Sequence, residues 1–132
     1  YPPETFDIKI HDGTKSIPEW NQTFDRVLVD APCSNSGVFS KRTEARWRFS
    51  PQNLTSLGNI QSALLHAMAP TVKIGGILLY STCSIEKKEN DKQIQTFLQN
   101  NSNFQFEEKQ IQLPLAPSFD GGSYCKLRRI SE

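Results

Sequence analysis

Two cysteines stand in mirrored contexts, each directly after a short apolar run. Arg26-Val27-Leu28-Val29-Asp30 leads into Ala31-Pro32-Cys33-Ser34-Asn35-Ser36-Gly37, and Ile77-Leu78-Leu79-Tyr80 leads into Ser81-Thr82-Cys83-Ser84. Each apolar run reads as a buried strand, and parallel strands end where open α/β folds bind their ligands. Two thiols delivered to that edge point to shared nucleophilic chemistry, because a thiolate attacks electron-poor carbon. Asp30, at the tip of the first strand, faces the same crevice; its plainer reading is a cap for the following loop. A single cysteine after a strand is ordinarily a small packing residue. Cys125, flanked by Tyr124 and Leu127, fits that plainer role.

The elements that must position these groups follow from periodicity. Thr5–Ile10 alternates loosely and is expected as a weak strand, and Ser16–Gln22 as loop. Phe24–Asp30 is expected as a strand, its Val27-Leu28-Val29 an unbroken apolar run of the kind that burial on both faces requires. Residues 31–50 form a long polar connection carrying Lys41, Arg42, Arg46 and Arg48. Ser50-Pro51 starts a helix, with a hydroxyl at N-cap and proline at N1. Leu54, Leu57, Ile60, Leu64, Leu65 and Met68 give it one apolar face. Pro70 and Gly75-Gly76 are expected to end the helix and turn the chain into the strand at residues 77–82. Ser84 is expected to cap a second helix reaching Asn100, with Ile94, Phe97 and Leu98 inward. Lys87, Lys88 and Glu89 then fall on its solvated first turns. Phe104–Glu107 and Tyr124–Ile130 alternate as strands around the turn signal Asp120-Gly121-Gly122. Alternating strands and helices in the middle imply an α/β parallel sheet, closed by an antiparallel hairpin.

The chain has 132 residues, a formal net charge of +1, 36% hydrophobic residues and three cysteines. That length makes one domain at most. The charge creates no global field for nucleic acid, so any such contact rests on a local patch. An odd cysteine count without a CxxC pair argues against a disulfide scaffold, a zinc site and a dithiol redox module, and fits a reducing compartment. No segment approaches a membrane span and no export signal is visible, so a cytoplasmic location is expected. His11 and His66 lack ligand spacing, and no metal site is expected.

With these residues in view, the chain resembles the Sun/Fmu-type (NOL/NOP/Sun) RNA 5-methylcytosine methyltransferases. Phe24–Gly37 resembles the family's Pro-Cys motif. Lys73–Ser84 followed by Glu89-Asn90 resembles its Thr-Cys motif. Arg46-Trp47, the acidic turn Asp12-Gly13, and Asp120-Gly121 with 124–129 match between and around them. The resemblance covers nearly the whole chain. It implies a Rossmann-like, S-adenosylmethionine-dependent methyltransferase fold, here the C-terminal part of a catalytic domain over residues 1–132. The family's glycine-rich cofactor loop and first strands normally precede the point where Tyr1 stands, so cofactor binding by this stretch is expected to be incomplete. Without those strands, Phe24–Asp30 is expected at an exposed edge, prone to self-association.

The resemblance assigns the nucleophile to Cys83, assistance in product release to Cys33, and recognition of the cytosine edge to Asp30. It places the cofactor near Asp12, Asp30 and Pro32. Lys41, Arg42, Arg46 and Arg48 become candidate contacts to rRNA or tRNA. Trp47 is a candidate stacking face, though a core anchor is the expected role. The competing reading is a non-catalytic RNA-binding or assembly fragment that keeps the fold.

Overall fold

The computed structural model describes residues 5–115 and 119–132. Strand β1 (Phe24–Asp30) leads through a long connection to a short helix α1 (Thr43–Arg48) and the principal helix α2 (Pro51–Met68). Then follow β2 (Val72–Thr82), α3 (Asp91–Asn100), β3 (Phe104–Gln112) and β4 (Gly122–Arg129). The sheet order is β1-β2-β4-β3. β1 and β2 pair in parallel, with Val29 opposite Tyr80 and Asp30 opposite Ser81. β4 runs antiparallel to both β2 and β3. The α/β core and the closing hairpin therefore match the sequence expectation.

Helix α2 begins as its sequence dictates. Ser50 is extended, and its hydroxyl accepts the Asn53 N–H at 3.1 Å, with Pro51 at the first helical position. The helices cover one face of the sheet. Val29, Leu78, Tyr80, Cys125 and Leu127 pack there with Leu65, Ile94, Phe97 and Phe104. Leu64, Met68 and Leu98 lie partly buried against this core, whereas Ile60 points outward.

Several expectations are corrected. No strand forms over Thr5–Ile10; Ile8 and Ile10 are exposed, because no neighbouring strand is offered to that segment. β1 is buried on one face only. Val29 faces the helices, while Leu28 on the other face is 62% exposed. Gly75-Gly76 do not turn the chain before the strand but lie within β2. The register jumps from Phe24↔Val72 to Arg26↔Ile77, so the glycines form an irregularity in the ladder. Gly75 has φ +82, a conformation glycine adopts without side-chain strain. Helix α3 starts at Asp91, not Ser84, because the Ser84 side chain is used elsewhere.

Candidate active site

β1 and β2 end side by side, and the backbone keeps their extensions together. The Ala31 N–H donates to the Ser81 carbonyl at 2.9 Å, and the Gly37 N–H donates to the Cys83 carbonyl at 3.0 Å. The two cysteine loops thus form one surface. Cys83 is exposed and Cys33 half-buried. The loop after Cys33 turns sharply at Asn35, whose φ of 59 is a left-handed value that asparagine tolerates.

The thiols differ in environment. Burial pushes the Cys33 thiol up from an ordinary 9.0 to about 11. The negative charges of Glu89 and of an ionised Cys83 add to this, while the backbone N–H groups of Asn35 and Cys83 oppose it. The Gly37–Cys83 backbone bond holds the two cysteine loops against each other. Cys33, Ser34, Asn35, Ala45, Arg48, Asn53 and Leu57 line a small cleft of about 140 Å³. Cys125 is buried in the core and its thiol is likewise pushed up to about 11, chiefly by burial. It is a packing residue, as its strand pattern suggests.

Beneath the thiols lies a polar cluster that sequence reasoning missed. Glu89 is fully buried, contrary to its expected place on a solvated helix turn. Its carboxylate accepts the Ser34 N–H at 2.9 Å, the Ser34 hydroxyl at 2.6 Å, the Gln61 amide at 3.0 Å and the Ser84 hydroxyl. Each serine hydroxyl has one proton to give. With the Ser84 proton committed to Glu89, Ser36 donates to Ser84 Oγ across 3.2 Å. Asn90, for which the sequence offers no role, is also buried. It accepts the Thr82 hydroxyl at 2.7 Å and donates to the Ser84 carbonyl at 2.9 Å. Gln61 donates also to the Pro32 carbonyl at 3.0 Å, which fixes its amide orientation. The available signal was the spacing Ser84–Glu89 beside a cysteine motif, but charge periodicity alone reads it as surface.

The remaining candidates divide. Asp30 and Pro32 are exposed at the β1 tip, open to a ligand. Asp12 is exposed in its own turn. Its Oδ1 accepts the Thr14 N–H at 3.0 Å and the Thr14 hydroxyl at 2.7 Å, bonds that hold its carboxyl below the usual range. Lys41 is paired with Asp120 at 2.7 Å. Arg42 and Arg48 both approach Glu44 at 3.8 Å. Arg46 has no ion pair among the described residues. Trp47 is 91% exposed, which overturns the core-anchor expectation. The six-residue α1 buries Ala45 and turns Trp47 and its flanking arginines outward.

Fold and site together define the class first: a Rossmann-like methyltransferase architecture with paired strand-tip cysteines. A crystal structure of PH0851 superposes with a TM-score of 0.77 at 36% identity, over 82% of this chain and 27% of that one. A methyltransferase homolog protein from Pyrococcus horikoshii superposes with a TM-score of 0.67 at 25% identity, over 81% of this chain and 39% of that one. The family model for the 16S rRNA methyltransferase RsmB/F matches residues 4–126. Ribosomal RNA small subunit methyltransferase B of Yersinia enterocolitica is 37% identical over 130 residues, 92% of this chain. The chain belongs to the RsmB/F family of 16S rRNA methyltransferases. It spans about 30% of the length of the curated relative it matches.

Proposed function

We propose that this chain is the cysteine-bearing, C-terminal portion of the catalytic domain of an S-adenosylmethionine-dependent RNA cytosine-5 methyltransferase. The observation that carries the reading is the junction of the Cys33 and Cys83 loops through the Gly37–Cys83 backbone bond and the shared Glu89 carboxylate.

C5 of cytosine is a weak nucleophile. The Cys83 thiolate adds to C6, forming a C–S bond and turning the ring into an enamine. Negative charge develops toward the ring nitrogen, and Asp30, exposed at the strand tip, is suited to hydrogen-bond that edge of the base. S-adenosylmethionine, when bound, supplies an electrophilic methyl group. Asp30 and Pro32 suit an edge of that ligand because both are exposed at the strand tip. Asp12 has one carboxylate oxygen engaged by Thr14. Release requires loss of the C5 proton and cleavage of the C6–S bond. As a base takes the C5 proton, the C5–H electron pair forms the C5–C6 double bond and Cys83 leaves C6 as thiolate; Cys33, in the adjoining loop, is the residue suited to assist this elimination. The base must reach the thiols, so it is single-stranded or flipped. Arg46, Arg48 and Trp47 are suited to the flanking phosphates and bases; Arg42 contributes charge, and Lys41 acts mainly through Asp120.

Trapping tests the assignment. In the full-length protein, Cys33→Ala accumulates a covalent RNA adduct, whereas Cys83→Ala forms none. If both variants keep full activity, the two-thiol mechanism is wrong.

A further inference from the structure

The Glu89 carboxylate is fully buried and receives its hydrogen bonds from Ser34 and Ser84 of the thiol loops and from Gln61 of α2. Ser34 directly follows Cys33, and Ser84 directly follows Cys83. Gln61 grips both the carboxylate and the carbonyl of Pro32, which precedes Cys33. Glu89 is itself anchored, since the Tyr80 hydroxyl donates to its backbone carbonyl at 2.7 Å. Beyond the Ala31–Ser81 bond the β1–β2 ladder has ended, and each loop carries irregular backbone that must find other partners. A buried carboxylate receiving four bonds is a strong junction, because charge-assisted bonds exceed neutral ones and gain strength away from water.

We propose that Glu89 is a positioning residue for the thiol pair, fixing the Cys33 loop and the Cys83 loop relative to each other through Ser34 and Ser84. This rests on the two-thiol reading above and adds a third residue to it. Glu89 does not meet the base; it acts through the two serines. Its charge has a second effect. The titratable and charged groups around Cys33 are Glu89, Cys83 and Tyr80, with Arg48 across the cleft. Burial is the main reason Cys33 holds its proton, and the Glu89 charge adds to it.

The test uses dibromobimane, which becomes fluorescent when it bridges two neighbouring thiols, with the sites mapped by mass spectrometry. The unmodified chain is expected to form a Cys33–Cys83 bridge. Glu89→Gln keeps the side-chain shape but turns an NH₂ group toward donors. It is expected to slow bridging about tenfold, as loss of one charged hydrogen bond implies. Single alkylation of exposed Cys83 by iodoacetamide should change less than about twofold, because that thiol needs no partner loop. The same variant should lower the pH midpoint for Cys33 alkylation more than Ser34→Ala or Ser84→Ala does, because those two variants keep the Glu89 charge. Ser84→Ala removes the Cys83-side arm and Ser34→Ala the hydroxyl half of the other, its N–H bond remaining; both should slow bridging, Ser84→Ala more, while buried Cys125 stays protected, and this keeps the test decisive if Glu89→Gln fails to fold. Equal bridging rates in the unmodified chain and in these variants overturn the role of Glu89 and leave the two-thiol reading intact. Absence of any bridge in the unmodified chain overturns both.

Discussion

The Gly121 N–H donates to the Gly37 carbonyl at 2.7 Å, joining the Cys33 loop to the start of β4. A Cβ on Gly37 would lie 2.5 Å from the Gly121 carbonyl carbon and oxygen and 2.9 Å from the Cys83 carbonyl oxygen. All three are backbone atoms, so the clash cannot be relieved by a side-chain rotation. Gly37→Ala should therefore destabilise the fold by about 1–3 kcal/mol, the usual cost of overpacking. Urea denaturation should show a lower midpoint with an unchanged slope, and alkylation of Cys33 should accelerate as its loop is displaced. An unaltered midpoint would mean that the close approach is not present in solution.

Thiol titration should rank the three cysteines. Exposed Cys83 should be modified first at pH 8, with Cys33 and Cys125 reaching half-maximal alkylation only near pH 11. The same shifts carry a stability consequence. Both thiols have folded values above their unfolded value, so the folded state holds its protons longer. That contribution is complete below about pH 9 and is lost as pH rises through about 11. The thermal midpoint should fall over that interval, and Cys125→Ala should flatten the fall. A midpoint that is flat from pH 9 to 11 contradicts the burial of these thiols.

Removing the α2 cap tests the helix that carries Gln61. Ser50→Ala loses the bond to the Asn53 N–H and should cost about 1 kcal/mol in chemical denaturation. A loss below a few tenths would show that water satisfies that amide equally well.

RNA binding should depend on α1. Arg46→Gln removes a cation without an ion pair among the described residues and should weaken binding and reduce its salt slope by about one. Trp47→Ala should cost about 1–3 kcal/mol if a base stacks on the exposed ring. Lys41→Gln should matter less, since its charge already meets Asp120. Fluorescence anisotropy with single-stranded RNA at two salt concentrations separates these effects. Equal losses for Arg46 and Lys41 would favour a diffuse field over a local contact.

Self-association should follow from β1. This strand closes one side of the sheet and exposes Leu28, next to a face that also presents Leu79 and Ile77. Unpaired strand edges with apolar side chains recruit other chains. Light scattering of residues 1–132 should show concentration-dependent growth that Leu28→Lys suppresses. A monodisperse monomer at high concentration would refute this.

The elements whose physics is local were legible in the order of residues alone. The stretch Phe24–Asp30, with its apolar Val27-Leu28-Val29, specifies β1, Ser50-Pro51 specifies the start of α2, and alternation over Tyr124–Ile130 specifies β4 within a residue or two of its observed ends. The cysteine motifs carry the family resemblance for the same reason, since each is a short run of defined residue types. The fate of polar and aromatic side chains was settled by packing between distant elements. Glu89 reads as a surface charge until Ser34, Ser84 and Gln61, brought from three separate elements, surround it with donors. Trp47 reads as core until the short α1 spends its inward position on Ala45. Burial depends on what covers a residue, and those covering atoms come from distant parts of the chain, outside the reach of any local pattern.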